Sequence, residues 1–320
     1  MAVLEARTLD PALTLRPAGV NDLPACAEIW RDALNDYMGR LRLMPVGQDL
    51  GPISRLHAHL HATDPDRFWV AERDGRVVGF GSAVVRGTVW FLSMLFVRPG
   101  EQAAGIGRAI LDRIMPAPAD GLRLATATDS AQPVSNALYA SLGIVPREPL
   151  LSLIGVPDSV PLPDLPAGME AVAFAELAAR ESSAGAGHEG LVATVNRLDE
   201  EIVGFQHPQD HRLLRVEGRQ GFLYREPGGD AVAYGYASPV GRVGPVAVRD
   251  AALLPAVLGH LLGAVQPRGA FAIWLAGSAG PTVTAVLRAG FRLDGFPVLF
   301  CWDRPFADFS RYIPISPGLP

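Results

Sequence analysis

One run of this 320-residue chain combines residue types and spacing suited to holding a polyanion: Val97-Arg98-Pro99-Gly100-Glu101-Gln102-Ala103-Ala104-Gly105-Ile106-Gly107-Arg108. It leaves an apolar stretch, Trp90 to Val97, that reads as a strand, and opens an amphipathic stretch, Ala109 to Met115, that reads as a helix. A chain passing from strand to helix through glycines leaves backbone N–H groups unpaired at the helix start. With the positive end of the helix dipole, they make an anion site. Gly105 and Gly107 lack a Cβ, so a diphosphate can approach the backbone closely. Two phosphate-loop types are excluded. A P-loop needs Gly-Lys-Ser/Thr, and the chain has no lysine. A Rossmann turn sets its first glycine directly after the strand and has a third; here Gly105 follows Val97 at a distance, and Ile110 stands at the third place.

The segment resembles the acetyl-CoA loop of the GCN5-related N-acetyltransferases (GNAT), Val-x-Pro followed by Gln/Arg-x-x-Gly-x-Gly. Val97, Pro99, Gln102, Gly105 and Gly107 match, and Ala103 stands where the family commonly has glycine. The resemblance implies acetyl-CoA as co-substrate. It would be held by the backbone of Leu95, Phe96 and Val97 on a splayed fourth strand and by the loop residues Gln102, Ala103, Ala104, Gly105, Ile106, Gly107 and Arg108. The implied reaction is direct attack of a small-molecule amine on the thioester, with the Leu95 N–H stabilising the oxyanion. Tyr139, four residues before Gly143, matches the family's Tyr-x-x-x-Gly and is the implied general acid toward the departing thiolate. A phenol of pKa about 10 stays protonated at neutral pH yet can donate to sulfur. Ser135 and Asn136, one helical turn earlier, are implied contacts of the pantetheine arm. No general base is assigned: the Trp90–Val97 strand has no acid, and Asp129 reads as a loop or cap residue. The same loop would also serve an acyl-CoA-binding sensor or scaffold without turnover.

Composition sets the outer bounds. With 49% hydrophobic and 19% charged residues the chain is ordinary globular protein, and a net charge of −5 gives no reason to expect nucleic acid or an anionic membrane. All basic residues are arginine, so no lysine amine is available as a base. Cys26 and Cys301, far apart and without a disulfide framework, suit a reducing, bacterial cytoplasm, and a monomer or homodimer is expected. No metal site is expected. His57, His59 and His61 read as surface histidines, and Pro208 would break the turn between His207 and His211. Glu28, Asp32 and Asp36, at i, i+4 and i+8, read first as a solvated acidic face and second as a selector for a cationic amine.

The elements that must position these residues occur twice. In the first half, a hairpin signal at Arg73-Asp74-Gly75 precedes the Trp90–Val97 strand, the loop and its helix. A strand at Leu122–Ala127, a helix from Ser135 to Leu142 closed by Gly143, and a strand near Leu150–Ile154 follow. Past four prolines between Pro157 and Pro166 the order returns: a hairpin around Pro227-Gly228-Gly229-Asp230, strands Val243–Val248 and Phe271–Leu275, a helix Thr282–Ala289 closed by Gly290, and a strand near Val298–Cys301. The expected fold is mixed α/β: two tandem GNAT-like domains, 1–157 and 167–320, joined by a linker at 158–166, each with a mostly antiparallel sheet flanked by helices. The second copy has Leu253, Ala256 and Leu258 where the first has Gln102, Gly105 and Gly107, and Val286 in place of Tyr139, so only the first is expected to bind acetyl-CoA.

Overall fold

The computed structural model describes residues 10, 12–102, 104–157, 161–183 and 189–320. It is mixed α/β and divides into two compact units, Met1–Val85 with Trp90–Leu122, and Arg86–Val89 with Arg123–Pro320.

The first unit follows the order β1 (Leu13–Pro17), α1 (Leu23–Arg40), α2 (Gly51–Thr63), β2 (Phe68–Arg73), β3 (Arg76–Arg86), β4 (Val89–Val97) and α3 (Ile106–Ile114). Its strands lie in sequence order, β1 antiparallel to β2 and β2 to β3. The β2–β3 hairpin turns at Asp74 and Gly75, both with positive φ, as a tight turn matching strand twist requires. Period-2 alternation puts Gly79 and Gly81 of β3 under α3. A Cβ on Gly81 would stand 2.7 Å from Ile110 Cγ2 and 3.1 Å from Leu95 Cδ1, so the missing side chains let the helix settle onto the sheet. On the sheet's other face Phe68, Phe80 and Phe96 stack in a row.

His57 belongs to that aromatic row and is not a surface residue. Its ring is fully buried, 5.1 Å from Phe80 and 6.0 Å from Phe68, and neither nitrogen has a hydrogen-bond partner. Its place on the inner face of α2, beside Ile53 and Leu60, puts it there. His61 lies at the edge of the same cluster, with Nε2 3.0 Å from the Ala18 carbonyl.

The second unit contains β5 (Arg123–Asp129), α4 (Pro133–Ala140), β6 (Val145–Gly155), β7 (Glu170–Ala173), α5 (Phe174–Ser183), α6 (Glu189–Ile202), α7 (Pro208–Val216), β8 (Gln220–Arg225), β9 (Ala231–Ala237), β10 (Arg242–Val248), α8 (Leu254–Ala264), β11 (Phe271–Ala276), α9 (Gly280–Arg288), β12 (Arg292–Leu293), β13 (Val298–Trp302) and β14 (Tyr312–Ile313). Its sheet runs β5-β13-β6-β11-β10-β9-β8-β7. Pairing is antiparallel except between β10 and β11. The strands thus ignore the proline-rich stretch. β13, late in the second half, pairs on one side with β5 and on the other with β6, both from the first half. β6 in turn pairs along its other edge with β11, Phe271 opposite Gly155 through Ala276 opposite Leu150. The compact units therefore part after Leu122, and not at residues 158–166, of which 158–160 lie outside the described residues.

The core of this unit packs α8 and α9 on β9, β10 and β11, with Leu254, Val257, Leu258 and Leu261 wholly buried, and β6 adds Leu153. The aromatic tail closes the other end: Phe300, Phe306, Phe309 and Tyr312 are buried, and Phe300 stacks on Phe309 at 4.7 Å. These rings are core and form no open cage.

Two consequences can be measured. Gly81→Ala should cost about 1–3 kcal/mol in chemical denaturation, because the new methyl group must push α3 off the sheet. His57, held neutral by burial, has its pKa lowered to about 4. The unfolded chain then binds the proton more readily, so its stabilising contribution is complete above the unfolded value of about 6.5 and is lost as pH falls from there to 4. At full extent that is about 3 kcal/mol. The acid-induced loss of stability between pH 6.5 and 4.5 should be smaller in His57→Phe than in the parent. An unchanged slope in urea titrations at several pH values would show that His57 titrates normally.

Candidate active site

The loop that follows β4 is built largely from its own backbone. The Arg98 N–H donates to the Val78 carbonyl at 2.9 Å, the Glu101 N–H to the Arg98 carbonyl at 3.0 Å, and Gln102 Nε2 reaches back to the Val97 carbonyl at 3.1 Å. The Gln102 side chain therefore braces the loop. Gly100 and Gly105 both have positive φ, 87° and 81°, which only glycine adopts without strain. Gly105 is the residue before α3, so the helix begins at Ile106, earlier than its amphipathic pattern indicates, and Gly107 falls in its first turn. No side chain caps this helix start. Its first N–H groups and dipole are left for an anion, as the sequence requires. Arg108 turns away, its Nε 2.8 Å from Asp112 one turn on, and contributes backbone to the loop. Ala103 lies outside the described residues.

Leu95 and Val97 pack against Ile106 and Ile110 of α3, while Phe96 faces Phe80 on the other side. All three are half-buried, whereas Val89 to Leu92 are buried. β4 thus opens to solvent over its final residues, where the acyl thioester is expected. Outside the loop lies a hollow of about 620 Å³ lined by Arg73, Arg76 and Arg98 against Asp32, Asp74 and Glu101. Arg73 pairs with Glu101, and Arg98 with Asp32 at 3.4 Å and Glu28 at 3.8 Å. Asp36 is held by Arg40 at 2.7 Å. The acidic stripe of α1 is thus engaged by the protein's own arginines.

In the second unit, α4 presents Tyr139, Ser135 and Asn136. Pro133 starts the helix, and Gly143, at φ 81°, ends it: the Ile144 N–H donates to the Tyr139 carbonyl at 3.1 Å. The second copy repeats this closure at α9, where the Phe291 N–H donates to the Val286 carbonyl at 3.2 Å. Tyr139 and Val286 are therefore equivalent positions in two copies of one turn. Tyr139 is buried, and burial pushes its phenol well above the usual range, against a smaller opposite effect of the hydrogen bond with Ser135. Asn136 spends both amide hydrogens on the β5–α4 turn, at 3.0 Å from the Asp129 carbonyl and 2.8 Å from that of Gln132, leaving Oδ1 without a partner. Burial also raises the Asp129 carboxyl at the end of β5.

The loop of the second copy is closed. After β10 the Asp250 carboxylate accepts the Ala252 N–H at 2.9 Å, so the chain's own anion occupies this turn. α8 starts at Leu254, which places Ala256 and Leu258 inside the helix and in the core.

Sequence reasoning set aside His207 and His211. Pro208 in fact occupies the first turn of α7, where its missing N–H costs nothing, and the two imidazoles lie 4.4 Å apart. The His-x-x-x-His spacing with proline in second place was the available signal.

Residues 28–144, which take in β4, the loop and Tyr139, match the model of the acetyltransferase (GNAT) family. Solved structures extend the likeness over the chain. A putative acetyltransferase from Pyrococcus horikoshii superposes with a TM-score of 0.73 at 12% identity over 100% of both chains. A GCN5-related N-acetyltransferase from Sphaerobacter thermophilus gives 0.58 at 17% identity, over 95% of this chain and 100% of that one. A tandem GNAT protein from the clavulanic acid biosynthesis pathway gives 0.54 at 18%, over 92% and 99%. At these identities they establish the fold, that of GNAT proteins including a tandem one. A search of curated proteins finds no match.

Proposed function

We propose that the chain is an acetyl-CoA-dependent N-acetyltransferase that acetylates the amine of a small molecule, with one cofactor site, built on the first copy. The observation that carries this is the uncapped start of α3 behind the positive-φ Gly105, set against the second copy, where Ala256 stands at that place inside α8 and is buried. The diphosphate of the cofactor would sit on the N–H groups of the loop, and the thioester along Leu95 to Val97, with the Leu95 N–H facing the developing oxyanion. The amine attacks the acetyl carbon, the tetrahedral intermediate collapses, and Tyr139 protonates the departing thiolate. Burial raises the phenol, which keeps it protonated but makes it a weaker acid, so the transfer relies on the opposing hydrogen bond from Ser135 and on the bound cofactor. Ser135 supports the hydroxyl, and Asn136 Oδ1 is an acceptor for an amide of the pantetheine arm. The acceptor is a small molecule and not a nucleic acid or membrane, in keeping with the net charge of −5. Among the described residues no helix is long and apolar enough to cross a membrane. The cytoplasm, and a monomer or homodimer, complete the proposal.

Calorimetric titration of acetyl-CoA should give a stoichiometry near one per chain. Gly105→Glu should abolish it, since it sets a carboxylate in the anion site. Open space surrounds Gly105 but its φ of 81° strains any other residue, so Gly105→Ala, which carries the same strain without the charge, is the control and should keep more of the binding. A stoichiometry near two would mean that the second copy also binds. Tyr139→Phe should lower turnover about a hundredfold, with acetyl-CoA affinity within about twofold of the parent. The deep burial of Tyr139 favours one second reading, a sensor that binds acyl-CoA without turnover. Thiol release across amines, amino acids and aminoglycosides separates the two: binding without acceptor-stimulated release decides for the sensor.

A further inference from the structure

The second unit buries a cluster that acetyl transfer does not use. α6 carries Asp199, His207 immediately precedes α7, and His211 lies one turn into α7. Asp199, His207 and Asp210 are fully buried and His211 nearly so. His211 Nε2 stands 2.9 Å from Asp199 Oδ2, and His207 Nε2 3.4 Å from Asp199 Oδ1. One donor atom from each of Asp199, His207 and His211 lies within 4.8 Å of the others. Bonds of ~2.0–2.1 Å to one tetrahedral ion put neighbouring donors about 3.3 Å apart, a spacing this cluster reaches with small side-chain shifts.

The surroundings are those of ligands held by an outer shell. The other ring nitrogen of His211 is 3.0 Å from the Tyr236 hydroxyl. The other nitrogen of His207 is 3.5 Å from Asp210, which Arg86 grips at 2.7 and 2.9 Å. A carboxylate behind an imidazole fixes its tautomer and raises its basicity toward a metal. Tyr234 donates its hydroxyl to Asp199 Oδ1 at 2.5 Å. Arg86 neutralises Asp210, so Asp199 is left as a buried negative charge that needs a cation.

A further observation points the same way: both nitrogens of the wholly buried His207 face carboxylates at 3.4 and 3.5 Å, yet neither makes a well-formed hydrogen bond. Orphaned donors and acceptors of this kind are rare and costly. We propose that Asp199, His207 and His211 bind one divalent transition-metal ion, zinc by the nature of the donors. Two imidazoles and one carboxylate suit zinc, whereas calcium and magnesium take oxygen ligands. The ion reaches the site from a cavity of about 200 Å³ lined in part by His211, Tyr236, Asn196 and Arg212, and a water completes the four-coordinate shell. Bound there, it joins α6 to α7. Without it a proton takes the same role: burial opposes a charge on His207, but Asp199 and Asp210 outweigh it and raise its pKa to about 9.

The full chain, stripped with a chelator and equilibrated with zinc alone, should retain one zinc per chain after removal of free ion. His207→Gln should retain none, and His59→Gln, on α2, should retain the full complement. Cobalt added to the stripped parent should give the visible absorption of a four-coordinate site. This reading requires no variant, so a His207→Gln chain that failed to fold would not leave the question open. A parent chain that takes up neither metal at micromolar free ion, or zinc that persists in a folded His207→Gln, would overturn the proposal in favour of a protonated histidine between two carboxylates.

Discussion

The fold of the second unit depends on β6 and β13 lying side by side. Each comes from a different half of the sequence, and each has its second edge filled by the other half's strand: β13 by β5, and β6 by β11. A strand left with a bare edge exposes a row of unpaired N–H and C=O groups. Removing either half would bare several edges at once and take Leu153 from the core under α8. The sequence copies are thus separable as patterns and inseparable as folded objects. Closing such long-range pairs carries a chain-entropy cost before any contact rewards it, so assembly of this sheet should be the slow part of folding.

The two copies have diverged at their glycine loop and at the tyrosine position. Both close their helix with glycine and the same backbone bond, at Tyr139 and at Val286, so the turn is present twice and the phenol once. Both send a strand toward a helix, but Gly105 opens one directly, whereas in the other the Asp250 carboxylate caps a short turn ahead of α8 and sets a negative charge beside the place where an anion would dock.

Much of this could be read locally. The glycine loop, the Asp74-Gly75 hairpin and the two glycine-closed helices are set by backbone requirements of a few residues, and they appear where those residues stand. Signals that depend on a partner elsewhere could not be read. β6 spans Val145–Gly155, longer than its apolar stretch near Leu150–Ile154, because pairing with β13 recruits Pro146 to Pro149. The same limit hid the strand exchange: no local pattern tells a strand which of two equivalent neighbours it will take. His57 looked like one of three polar residues on a helix, and only the stacked phenylalanines show that its face is the buried one. α5, α6 and α7 fill a stretch with no counterpart motif in the first half, and they carry Asp199, His207 and His211.

Those helices give β9 its character. Every residue of the strand is buried, yet its two faces meet different solvents. On one, Gly235 admits Leu261 of α8 so closely that a Cβ would lie 2.6 Å from it, and the contact is dry and apolar. On the other, Tyr234 and Tyr236, two residues apart and so on the same side, direct their hydroxyls to Asp199 and His211. Burying that many polar groups is costly unless each is satisfied, and replacing them with well-packed apolar side chains would be no less stable. Packing alone therefore does not account for the cluster. A demand for a cation between α6 and α7 does, because it needs an aspartate, two imidazoles and an outer ring of hydroxyl and carboxylate groups together.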